Sequence, residues 1–74
     1  MKHDDLLERI EIRAEKMAGQ PVITGTRLTV HYILNLLAGG ATQEEILREY
    51  EGLAAEDIQA CPLFAAQSLE RVAA

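Results

Sequence analysis

Gly19-Gln20-Pro21-Val22-Ile23-Thr24-Gly25-Thr26-Arg27-Leu28-Thr29-Val30 is the stretch on which the fold turns. Between Pro21 and Val30, β-branched residues crowd around a single glycine. Such side chains suit an extended, pleated backbone. The stretch therefore reads as extended, turning at Gly25, then extended again. Glycine reaches a positive φ without a Cβ clash, which fits it to that turn. Arg27 is the only charged side chain between residues 21 and 40.

Upstream, two patterns overlap. Leu6, Leu7, Ile10, Ala14 and Met17 share one helical face, while Ile10-Glu11-Ile12-Arg13 alternates as a strand does. Periodicity alone does not choose between them. Gly19 and Pro21 end whatever precedes them. Downstream, the spacing predicts a helix over about 30–39. Thr29 is its cap, Val30, Ile33, Leu34, Leu37 and Ala38 form its apolar face, and Gly39-Gly40 is its stop. A second helix is expected over about 43–50, where Thr42 and Glu45 have capping-box spacing. Ile46, Leu47 and Tyr50 supply its apolar face, and Gly52 closes it.

A third helical region begins near Ala55, with Glu56 and Asp57 complementing the positive end of its dipole. Ile58, Cys61, Ala65, Leu69 and Val72 make its stripe. Pro62 interrupts it, because proline donates no hydrogen bond and crowds the carbonyl four residues back. The expected result is a helix ending near Ala60 and another starting at Pro62, with one kinked helix as the alternative. The predicted fold class is mainly α: a short N-terminal β element followed by a three- to four-helix bundle. Helix 43–50 and the helix after it have helix-turn-helix lengths.

The chain has 74 residues, which allows a single domain over 1–74. A domain this small buries only about 60% of its unfolded surface, so a partner subunit is expected. The net charge is -5, which opposes non-specific binding to nucleic acid or to an anionic membrane. No apolar run approaches the roughly 20 residues of a membrane span, and the N-terminus lacks a signal-peptide pattern. Cys61 is the only cysteine, so no internal disulfide forms. A cytoplasmic protein is expected.

The stretch from Gly19 to Val30 resembles the signature box of a prokaryotic family, the domain-of-unknown-function family 433, which reads G-x-P-[VI]-[IV]-x-G-T-R-[IL]-x-V. The matching positions are Gly19, Pro21, Val22, Ile23, Gly25, Thr26, Arg27 and Val30. The similarity continues through the apolar helix ending at Gly39-Gly40, the acidic helix 44–50, and Gly52-Leu53-Ala54-Ala55-Glu56-Asp57-Ile58. It runs from about Ile10 to Ala66. The chain departs from the family at Glu51, at Ala54-Ala55, where Ser or Thr then Pro is usual, and at Cys61-Pro62-Leu63-Phe64-Ala65.

The resemblance implies a homeodomain-like helical fold and a homodimer. It implies an antitoxin of a type II toxin-antitoxin system, paired with a PIN-like nuclease toxin. It also places a strand at about 10–12, pairing with the chain around 28–30.

Arg27 has two readings. One is structural, pairing with a carboxylate of the acidic helix or capping helix carbonyls, and this is the expected one. The other is contact with a toxin or a phosphate. The alternative function is a helix-turn-helix DNA-binding transcriptional regulator. Its presumptive recognition helix, 55–60, carries two acids and no base, so DNA contact falls instead to Lys2, Arg9, Arg13, Lys16 and Arg27. Gly25-Thr26-Arg27 lacks the glycines and lysine of a phosphate loop. His3, His31 and Cys61 lack metal-ligand spacing. Ser68, the only serine, has no base and orienting group beside it in sequence. The expectation is no enzyme activity, no cofactor, no metal and no small-molecule substrate. The apolar residues Leu63, Phe64, Leu69 and Val72 are expected to close the core or a dimer, or to lie in a groove of a toxin.

Overall fold

The computed structural model describes residues 3–73, except for the side chains of 3, 4, 72 and 73. Lys2 and the side chains of His3 and Val72, named above, lie outside the described residues. The elements in order are α1 (His3–Leu7), β1 (Ile10–Glu11), β2 (Val22–Ile23), α2 (Val30–Ala38), α3 (Gln43–Glu49) and α4 (Ala55–Ala73). The protein is mainly helical, with four α-helices and one two-stranded antiparallel sheet among the described residues. The helical face read over Leu6, Leu7, Ile10, Ala14 and Met17 stops at Leu7, and the alternation read over Ile10–Arg13 forms a strand only at Ile10–Glu11. The chain is helical up to Leu7 and extended at Ile10.

The strand pairing differs from the expected one. β1 pairs with β2, Ile10 opposite Ile23 and Glu11 opposite Val22. The chain at 28–30 lies on the other side of β2, where Thr29 bridges Val22. Two bonds hold it there, Ile23 N–H to the Leu28 carbonyl and Val30 N–H to the Pro21 carbonyl, both 2.9 Å. The tight turn at Gly25 folds the second extended piece onto the first, so β2 sits between the two and β1 takes its free edge.

Local chemistry sets α2 and α3. The Thr29 hydroxyl accepts the Tyr32 N–H at 3.0 Å. At α3 the capping box is complete: Thr42 accepts from Glu45 N–H, and Glu45 accepts from Thr42 N–H at 2.8 Å. These bonds satisfy backbone donors that a helix start leaves orphaned.

The break expected at Pro62 does not occur. Ala55–Ala73 is one helix that passes through the proline. Proline inside a helix costs about 3 kcal/mol. Ile58, Ala60 and Cys61 before it are buried, and Phe64 after it packs on the same core. Burial contributes about 1.5–3 kcal/mol per large apolar side chain, so packing on both sides of Pro62 offsets the lost bond. α4 packs against α1, β1, α2 and α3. The core is Ile23, Val30, Ile33, Ile46, Ile58 and Cys61. No described helix is long and apolar enough to cross a membrane.

Candidate functional site

The signature stretch is stitched together by its own polar atoms. Thr26 Oγ1 donates to the Ile23 carbonyl at 2.8 Å and accepts the Leu28 N–H at 3.0 Å. Thr26 N–H donates to the same Ile23 carbonyl at 3.0 Å. Gly25 has φ +82 and open space where a Cβ would lie, so the turn needs glycine for its backbone conformation and not for room. Val22, Ile23 and Val30 are buried. Gly19 ends a left-handed turn in which Met17 and Ala18 also have positive φ.

Glu11 anchors this turn from outside. Its carboxylate accepts from Gly25 N–H at 3.2 Å, Lys16 Nζ at 3.0 Å and Arg13 Nε at 3.1 Å. The Lys16 hydrogen bond first, and then the Gly25 N–H, hold its carboxyl below the ordinary range. Thr24 adds a bond from its N–H to the Arg9 carbonyl at 2.8 Å.

Arg27 sits in this turn, exposed, with no ion pair or side-chain hydrogen bond to another described residue. The expected structural role is therefore not the one it has. The arginine that does pair with a helix carboxylate is Arg9, whose Nη1 lies 3.0 Å from Oδ1 of Asp57 in α4, not in the acidic helix α3. The other Asp57 oxygen accepts Ala54 N–H at 2.8 Å. That bond replaces the missing side-chain cap at Ala54 with the return half of a capping box. Asp57 is a buried acid that sequence reasoning placed only as a dipole partner. The signal for more was an acid three residues after a cap position that has no polar side chain.

The remaining candidate cations divide unevenly. Arg9 is held by Asp57, Lys16 by Glu11, and Arg13 by Glu11 and, at 3.8 Å, Glu15. Of Arg9, Arg13, Lys16 and Arg27, only Arg27 is free of an internal carboxylate among the described residues.

A second feature escaped the sequence. Tyr32 on α2 and Tyr50 after α3 meet edge to face, centroids 6.1 Å apart, with their hydroxyls hydrogen-bonded. That bond, with burial and Glu49 nearby, pushes the Tyr50 hydroxyl above its usual value. The pair walls an open cleft of about 250 Å3 with Glu45 and Glu49 at its edge. The exposed face of α3 presents Glu44, Glu45 and Glu49 against Arg48 alone.

The reactive residue types are otherwise engaged. Cys61 is buried, and burial, then the Asp57 charge, push its thiol up to about 11. Ser68 Oγ donates to the Phe64 carbonyl at 3.0 Å. His31 bonds Asn35 at 3.0 Å. No three His, Cys, Asp or Glu side chains among the described residues gather as a metal set.

Comparison with known proteins follows the same segment. No curated protein matches the chain. A solved structure of a DUF433 member protein from Anabaena variabilis ATCC 29413 is 32% identical, with a TM-score of 0.80 over 93% of this chain and 68% of that one. The sequence pattern of the family described as "Protein of unknown function (DUF433)" matches residues 10–65, from β1 through the signature turn into α4. The chain belongs to the DUF433 family.

Proposed function

We propose that this protein is a non-catalytic antitoxin of a type II toxin-antitoxin pair, which binds and inhibits a PIN-like nuclease in the cytoplasm. The observation that carries the reading is Arg27. The other positions of the box build the turn or the core, whereas Arg27 does neither and stands exposed. A guanidinium on a rigid turn loses little freedom on binding and pairs bidentately with carboxylates. Metal-dependent nucleases hold their ions with carboxylates, so Arg27 has a complementary target there. The acidic face of α3 suits the cationic surface with which a nuclease holds RNA.

The absence of activity in the proposal rests on the buried Cys61 thiol and on Ser68 spent within its own helix. DNA regulation has less support. Arg9, Arg13 and Lys16 are already paired with carboxylates, and Glu56 stands in the first turn of the presumptive recognition helix. A carboxylate at that position opposes phosphate contact.

The test is co-expression with the nuclease encoded in the neighbouring reading frame. Arg27→Ala should keep the melting temperature of the wild type and weaken the complex about 30-fold or more, the cost of truncating one partner of a buried charge pair. Undiminished neutralisation by that variant would sink the role given to Arg27. Failure of the wild type to bind any such nuclease would sink the function.

A further inference from the structure

We infer that the cleft between Tyr32 and Tyr50 is a socket for one arginine side chain of a protein partner. The lining divides as that side chain does. Leu36, Ala41 and Ile46 give the cleft an apolar part, Glu45 and Glu49 give it an acidic rim, and it encloses about 250 Å3. An arginine likewise has an apolar stem and a flat cationic head.

The aromatic walls are set before anything binds. Tyr32, in the first turn of α2, and Tyr50, at the C-terminal cap of α3, stand edge to face at 88°, with their hydroxyls hydrogen-bonded to each other. The ring that gives its edge keeps both of its own faces clear of the other ring, and a ring face attracts a cation. Tyr32 is 42% exposed, so this wall is open to an incoming group. Walls already fixed lose little freedom on binding.

The two carboxylates carry no internal cation. Glu45 and Glu49 stand four residues apart on α3, a like-charge spacing that opposes the helix. Neither makes an ion pair among the described residues, although Arg48 borders both. The capping box fixes Glu45, and the Thr42 N–H, then the Thr42 hydroxyl, hold its carboxyl below the ordinary range. A guanidinium suits such a rim better than an ammonium. It is more weakly hydrated, it stacks on a ring face, and its fork meets a carboxylate with two parallel N–H bonds. A second copy of this chain brings a net charge of -5 to the same acidic face, which opposes it. The inference rests on the nuclease reading only for the protein that carries the arginine.

The test uses the isolated chain and a blocked Gly-Arg-Gly peptide, followed by the backbone amide resonances. Shifts should center on Tyr32, Leu36, Glu45, Glu49 and Tyr50, with half-saturation at about 1–10 mM. The same peptide with citrulline, the neutral isostere of arginine, should give none, and the lysine peptide should bind about threefold more weakly. Tyr32→Leu should raise the dissociation constant about threefold, the worth of an exposed cation–ring contact. Glu45→Gln/Glu49→Gln should raise it about fivefold or more. Glu45→Gln keeps an acceptor for Thr42 N–H, so the cap survives as the charge goes.

Equal shifts from the citrulline peptide overturn the socket, and so does an affinity unchanged in the double variant. Equal binding of the lysine peptide overturns the choice of arginine. Cleft shifts that appear as the chain's own concentration rises, and vanish in Arg27→Ala, assign the cleft to a second copy and overturn the partner. The peptide titration can fail while nuclease binding holds, and nuclease binding can fail while the titration succeeds, so the two readings are separately refutable.

Discussion

Replacing Asp57 with alanine removes two contacts in one step. The carboxylate holds Arg9 at 3.0 Å and caps α4 through Ala54 N–H at 2.8 Å. Losing the capping bond costs about 1 kcal/mol. The ion pair is discounted because the Arg9 side chain is 37% exposed and rehydrates when released, which leaves about 1 kcal/mol for it. The sum is about 2 kcal/mol, or about 8–16 °C in melting temperature for a domain of this size. Asp57→Asn retains an acceptor for Ala54 and should lose about half as much. Arg9→Met should also lose about 1 kcal/mol, and the double variant Arg9→Met/Asp57→Ala should fall short of the summed losses by about 1 kcal/mol. Urea unfolding followed by circular dichroism, at one fixed protein concentration, reads all four. An Asp57→Ala midpoint equal to the wild type, or strict additivity in the cycle, refutes the account of how α4 is tied to the segment before β1.

Gly25→Ala should cost about 1–2 kcal/mol, because φ +82 is strained for an L-residue although the space is open. Gly25→Val should cost more, and unchanged melting of both refutes the turn. The Cys61 thiol should react with a disulfide reagent at pH 8 only after urea is added. Its value rises from 9.0 to about 11, so the folded state keeps the proton that the unfolded chain releases. Its contribution to stability is therefore complete below pH 9 and is lost between 9 and 11. Cys61→Ala should flatten that alkaline limb, and a limb unchanged by the substitution refutes the assignment. The Glu11 carboxyl is lowered, so its contribution is present above its ordinary 4.5 and is lost as the pH falls through the folded value. Acid titration of Glu11→Gln should show a shallower decline than the wild type. An equal decline contradicts the hub drawn around Gly25.

The parts of the fold legible in the sequence are those set by neighbours in the chain. Thr29 and the Thr42–Glu45 box mark α2 and α3 because a cap and its target lie three residues apart. The signature stretch reads as two extended pieces around Gly25 for the same reason. What escaped is decided at a distance. Arg9 and Asp57 are 48 residues apart, and no periodicity links them. β1 could pair with either extended piece by composition, and only the closing of the Gly25 turn leaves β2 with a free edge. At Pro62 the local preference against proline in a helix gives way to core packing on both sides of it. Arg27 reads as needing a partner because it is an isolated charge in an apolar run. The turn directs it to solvent while Arg9 makes the ion pair.

Pro62 leaves a lasting mark on α4 even though the helix is continuous. With no N–H at that position, the rung from residue 62 to the Ile58 carbonyl is missing, so the helix is two shafts joined at a weak coupling. The first shaft is clamped by Ile58, Ala60 and Cys61, while the second carries Phe64 and Leu69 at the periphery. Fraying that starts at the far end should therefore stop at the coupling. Amide exchange should follow this division, with slow protons before the proline and faster ones after it. The body can stay folded while the outer shaft adjusts its angle to whatever it meets.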